Sequence, residues 1–152
     1  MRRSRRGSVL IELALSMIVI VLLTSGGFQF GHAYSVYADL QRAVRNGARY
    51  ASREEYPNRT AACLDKAKQR IRNLVVYGEP DASAKSRPAI PGLQAEHVAV
   101  DYQTDPKGVP LMVQVAIRGY SLESVFSTYR LNGTPSAAAR FAGRYAPNGC
   151  LP

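Results

Sequence analysis

From Val9 to Leu23 the chain is apolar at every position except Glu12 and Ser16, and the permissive stretch runs on through Gly26, Gly27, Phe28 and Phe30. As a helix rising about 1.5 Å per residue, Val9 to Phe30 is long enough to cross a hydrocarbon layer of about 30 Å. The pattern then changes from uniformly apolar to a stripe. Ala33, Val36, Tyr37, Leu40, Ala43, Val44, Gly47, Ala48 and Ala51 recur at three- and four-residue steps, with Asp39, Arg42, Arg45, Asn46 and Arg49 between them. This spacing predicts that the helix continues past the apolar run and offers a face of small residues to a folded domain. Gly26, Gly27 and Gly31 are its expected weak points, because Gly costs about 1 kcal/mol relative to Ala inside a helix.

A second helix is predicted after Pro57, with Asn58 or Thr60 as N-cap and Ala61, Leu64, Ala67, Ile71, Leu74 and Val75 on one face; Gly78 and Pro80 end it. Residues 81–91, DASAKSRPAIP, read as a linker. Three alternating segments follow: Val98, Val100 and Tyr102; Leu111, Val113, Val115 and Ile117; and Ala139, Phe141, Gly143 and Tyr145. TDPKGVP suits a hairpin between the first two, and SLESVFSTY is read as a turn of helix before the third. The expected fold is α+β: a long N-terminal transmembrane helix that continues as the spine of a small domain, a second helix, and a three-stranded antiparallel sheet.

Charge adds a direction. Arg2, Arg3, Arg5 and Arg6 precede the apolar run and no Lys or Arg follows until Arg42, so the N-terminus is expected in the cytoplasm and the rest outside. The alternative is a secretory signal peptide cut near Gly26, but the apolar run exceeds a normal h-region and contains a carboxylate. Setting aside the four leading arginines, the formal charge of +9 falls to +5, with 16 basic and 11 acidic side chains. Those charges are scattered, and Lys66, Lys68, Arg70 and Arg72 occupy several faces of the second helix, which reads as a solvated surface. No nucleic-acid partner is expected from this distribution.

Glu12 is the anomaly in the apolar run. A charged residue at the centre of a membrane helix costs about 2.5 to 3.5 kcal/mol on insertion scales and ordinarily has a partner. Cleavage after Gly7 would make Ser8 a new N-terminus, with its α-amine four positions from Glu12 on the same helix face. Proteolysis thereby turns an isolated acid into half of a possible ion pair, within one chain or between two.

Arg6-Gly7-Ser8 followed by Glu12 resembles the prepilin-peptidase site of type IV pilin-like proteins. The longer pattern resembles the TadE-like family, minor pilins or pseudopilins of the tight-adherence (Tad) pilus. It comprises Arg6, Gly7, Glu12, Leu13, Ala14, Leu15, Gly26, Gly31, Leu40, Gln41, Ala43, Arg45, Gly47, Ala48, Arg49, Tyr50 and Ala51. The chain departs from that family at Ser16-Met17-Ile18, where members often carry a kink-forming Pro.

The resemblance implies a cleaved leader over residues 1–7, a transmembrane helix over 8–31 and a periplasmic or extracellular pilin-like domain over 32–152. Gly7 and Ser8 would flank the processing site, and Glu12 would neutralise charge during assembly. The implied partners are a prepilin peptidase, other pilin or pseudopilin subunits, the Tad assembly platform and the inner membrane. An unprocessed single-pass assembly factor and a secreted basic binding module are the competing readings.

The remaining chemistry is sparse. Cys63 and Cys150 lie outside the cytoplasm in this topology, where a disulfide is expected, within the chain or between chains. His32 and His97 have no ligand-spaced neighbours, so no metal is expected. No nucleophile elbow or phosphate-binding loop is present, and no cofactor or enzymatic activity is expected. Asp101 and Asp105 are read as turn-entry residues. The NRT and NGT triplets at 58–60 and 132–134 carry no weight as glycosylation sites in this context.

Overall fold

The computed structural model describes residues 4–57, 60–82, 86–123 and 128–146. Helix α1 spans Ser4–Arg53, β1 Tyr56–Pro57, α2 Ala61–Tyr77, β2 Val98–Thr104, β3 Pro110–Glu123, β4 Thr128–Arg140 and β5 Tyr145–Ala146. A single 3-10 turn, Ala95–His97, precedes β2. The fold is α+β with two helices and an antiparallel sheet in the order β2-β3-β4. The chain divides into two compact units, one up to Ser35 and one from Val36 onwards.

In the first unit α1 is helical throughout its described length, including Gly26, Gly27 and Gly31, where local melting was the sequence expectation. The hydroxyls of Ser16, Thr24 and Ser25 are satisfied by the helix itself. Ser16 Oγ donates to the Glu12 carbonyl at 2.8 Å, Thr24 Oγ1 to Ile20 at 2.7 Å and Ser25 Oγ to Leu22 at 3.0 Å. Such bonds let hydroxyl residues sit in an apolar helix without an external partner.

In the second unit the small-residue stripe is used as the spacing predicts. Leu40, Val44, Ala48 and Ala51 of α1 share one core with Ile71, Val75 and Val76 of α2 and with Val98, Val100, Val113, Val115 and Ile117 of the sheet. Gly47 marks a close approach of α1 to α2, since a Cβ there would lie 2.5 Å from Val75 Cγ2. Thr60 is the N-cap of α2, its hydroxyl accepting from Cys63 N at 3.3 Å. Gly78, left-handed at φ 82, ends the helix by donating to Leu74 O at 2.9 Å.

The β2–β3 register places Val98 opposite Ile117, Val100 opposite Val115 and Tyr102 opposite Val113, so one apolar face is built as the alternation predicts. Leu111, assigned to that face, is 56% exposed. Asp105 organises the connecting turn, its Oδ1 accepting from Lys107 N at 2.9 Å and Val109 N at 2.8 Å.

Three local expectations are corrected. SLESVFSTY supplies strand and not helix where it is described: Ser121–Glu123 close β3, and Thr128 and Tyr129 open β4. The third strand therefore begins eleven residues before Ala139 and ends at Arg140. Phe141 and Gly143 lie outside the ladder, and Tyr145–Ala146 pair in parallel with Tyr56–Pro57. Finally, the linker ends in anchors: Ile90 and Leu93 are buried, and Ala89 N donates to Val76 O at 2.8 Å.

Register shifts around Arg118 change which side of β3 is buried. Odd-numbered Val113, Val115 and Ile117 are buried, and after the shift it is Tyr120 that enters the core. Gly119 at φ 71 makes the irregularity possible, because an extra residue in one strand reverses the alternation. Tyr120 then donates its hydroxyl to Pro91 O at 2.9 Å, tying the end of the linker to the sheet.

Candidate processing and assembly site

Helical periodicity positions the N-terminal candidates. Gly7, Ser8 and Glu12 all lie within α1, and Gly7 and Glu12 are exposed. A Cβ at Gly7 would meet nothing within 4 Å, so no other part of the described chain covers the peptide bond after it. Glu12 is four residues beyond Ser8 and hence on the same helix face. Around it the apolar side chains from Val9 to Leu23 are 55–72% exposed. A continuous apolar cylinder of this kind requires a non-aqueous partner, lipid or other apolar helices. It is the one helix in the described residues long and apolar enough to cross a membrane.

The other polar constellation lies at the end of α1. Arg70 of α2 reaches Glu54 with Nη1–Oε1 at 3.0 Å and Asp81 with Nε–Oδ1 at 3.2 Å; the Nε–H is not aimed well enough at Asp81 to make a hydrogen bond. Burial, reinforced by the hydrogen bond and charge of Glu54, pushes the Tyr50 phenol up to about 12. Tyr102 is raised further still, chiefly by burial, and it packs against Tyr56 with ring centroids 4.8 Å apart. Tyr56 in turn faces Phe141 at 6.2 Å and Tyr145 at 6.3 Å. Raised by burial, the Tyr50, Tyr56 and Tyr102 phenols stay protonated at neutral pH, and the Tyr56 and Tyr102 rings pack against the segment that carries β5. Their association with Glu54 and Arg70 was not legible in the sequence, where Tyr50 entered as part of the TadE-like pattern, Arg70 as a solvated surface residue and Glu54 not at all, because contacts between residues 54 and 70 leave no periodic signal.

Cys63 is buried within the first turn of α2 and is not a free thiol. Cys150 lies outside the described residues. His97 Nδ1 accepts from Gln94 N at 3.1 Å, which occupies that nitrogen in capping the 3-10 turn. Among the described residues no group of three His, Cys, Asp or Glu side chains gathers as a metal site.

With the exposed apolar helix and its lone carboxylate in view, comparison with known families adds the deciding observation. Residues 7–49 match the TadE-like protein family. The matched segment opens at Gly7 and covers the apolar run, Glu12 and most of the core-facing stripe of α1, which is less than a third of the chain. No curated protein and no solved structure matches. The likeness is to the TadE-like family over this segment, which includes the helix long and apolar enough to cross a membrane.

Proposed function

We propose that this protein is a minor pilin or pseudopilin of the Tad pilus, cut after Gly7 by a prepilin peptidase and held in the inner membrane by the apolar part of α1 until assembly. The observation that carries the reading is the TadE-like match over a helix whose aliphatic surface is open and interrupted by one acid. In this reading residues 1–7 form the cytoplasmic leader, 8–31 the span, and 32–152 a periplasmic domain. Its partners are the peptidase, companion pilin subunits and the assembly platform.

Glu12 has a defined task. In a helix bundle of low dielectric an unpaired carboxylate is strongly disfavoured, and a correctly staggered Ser8 amine from a neighbouring subunit relieves it. Register is the gain, since only one stagger brings the two charges together. Glu12→Ala is therefore expected to insert into membranes as the native chain does, while the fraction recovered in assembled or subunit-bound form falls about tenfold or more. Membrane fractionation and crosslinking in cells measure the two quantities separately. Undiminished assembly of the variant would remove this role from Glu12.

A further inference from the structure

The outer face of α1 within the second unit carries a row of arginines. At 3.6 residues per turn Arg42, Arg45, Arg49 and Arg53 fall within about 80° of arc, opposite the face formed by Leu40, Val44, Ala48 and Ala51. All four are exposed. Arg42 is paired with Asp39 at 3.2 Å, whereas Arg45, Arg49 and Arg53 have no acid partner among the described residues. Arg49 and Arg53, with Asn46, Tyr50 and Glu54, line a concavity of about 280 Å³. Glu54 does not neutralise that concavity, because its carboxylate is already engaged by Arg70 at 3.0 Å.

We infer that this face is a docking site for an acidic helical segment of another protein, with its carboxylates set against Arg45, Arg49 and Arg53. Three features favour that occupant. The arginines repeat at four-residue steps, about 6 Å of rise each, which is the spacing of glutamates on one face of a partner helix. Guanidinium groups grip carboxylates in a bidentate fork, and Asn46 and Tyr50 supply an amide and a ring to hold the partner's neighbouring side chains. Asp39, paired with Arg42 at the N-terminal end, limits the open positive charge to Arg45, Arg49 and Arg53, a short row that suits discrete carboxylates rather than a continuous polyanion such as nucleic acid. The inference does not depend on cleavage after Gly7.

The test uses the full chain in detergent micelles and a fluorescein-labelled alanine-rich helical peptide carrying glutamate at every fourth position. Anisotropy is expected to rise on binding, to fall off with added salt, and to require at least tenfold more protein for the Arg49→Ala/Arg53→Ala variant. Arg118→Ala, which removes an arginine already facing Asp101 at 3.4 Å, should bind as the native chain does. Because the substituted side chains are exposed, circular dichroism should show an unchanged fold. The inference fails if the native chain does not bind the peptide, if a glutamine version binds equally well, or if the double variant binds undiminished. It also fails if a single-stranded oligonucleotide binds more tightly through the same arginines, which would reassign the face to nucleic acid.

Discussion

Gly47→Ala should destabilise the domain although the substitution favours an isolated helix by about 1 kcal/mol. The new Cβ would stand 2.5 Å from Val75 Cγ2, with Val115 Cγ1 at 3.8 Å and Ile71 Cγ2 at 3.9 Å closing the remaining directions. Val75 is a stiff β-branched side chain buried in α2 and cannot swing aside without separating the helices. Overpacking of this type costs about 1 to 3 kcal/mol. Gly47→Leu should exceed that range and leave little folded protein. The decisive measurement is a double-mutant cycle by chemical denaturation. Val75→Ala alone creates a cavity, but combined with Gly47→Ala it vacates the space the new methyl needs, so the pair should lose less stability than the sum of its parts. Additive losses would mean that Gly47 is not the contact point between α1 and α2.

The second large effect concerns the chain's end. Phe141 to Ala146 lie across the end of α1: Ala142 N donates to Ser52 O at 2.8 Å, and Tyr56 N donates to Arg144 O at 2.9 Å. The backbone at Gly143 passes so near the Arg53 and Glu54 carbonyls that no side chain fits there. We propose that a Cys63–Cys150 bond completes this strap. It would close a loop of nearly 90 residues and stabilise the fold by about 4 to 5 kcal/mol in the chain-entropy description, with measured losses on removal commonly about 2 to 5 kcal/mol. Reduction of the native chain and the Cys63→Ala substitution should each lower the melting temperature by about 10 °C or more. A disulfide-linked dimer on a nonreducing gel, or a melting temperature indifferent to reductant, would contradict the intramolecular pairing.

The elements legible in the sequence are those whose signals are local. The apolar run and the three- and four-residue stripe specify α1, and Thr60 and Gly78 bracket α2. The alternation around Val98–Tyr102 and Val113–Ile117 supplies two strands. What escaped the pattern depends on distant partners or on backbone irregularity. The bulge at Gly119 reverses which residues face inward, so Tyr120 and Leu122 fall out of step with Val113 and Val115 and the length of β4 is hidden. β5 is a dipeptide made a strand only by pairing with Tyr56–Pro57, across almost 90 residues of chain. Ile90 and Leu93 are single apolar residues in a proline-rich segment, and their burial follows from the end of α2 and from Tyr120 rather than from any periodicity.

The candidate site divides in the same way. Gly7, Ser8 and Glu12 are the proposed processing and assembly residues, singled out because their spacing would set a new amine and the carboxylate on one helix face. Of the open face, Arg45 and Arg49 were read as polar positions between apolar ones and as part of the TadE-like pattern, and Arg53 was not singled out. The character of the face emerges once Glu54 is seen to be committed to Arg70.

The central claim is that proteolysis after Gly7 supplies the cation that makes Glu12 tolerable in an apolar assembly. It is tested most directly by determining the N-terminal residue, by intact mass and peptide sequencing, of the protein isolated from producing cells. The account predicts a chain that starts at Ser8, with residues 1–7 removed. A functional protein that retains Met1 and the arginine leader, or one that begins near Gly27, would contradict it.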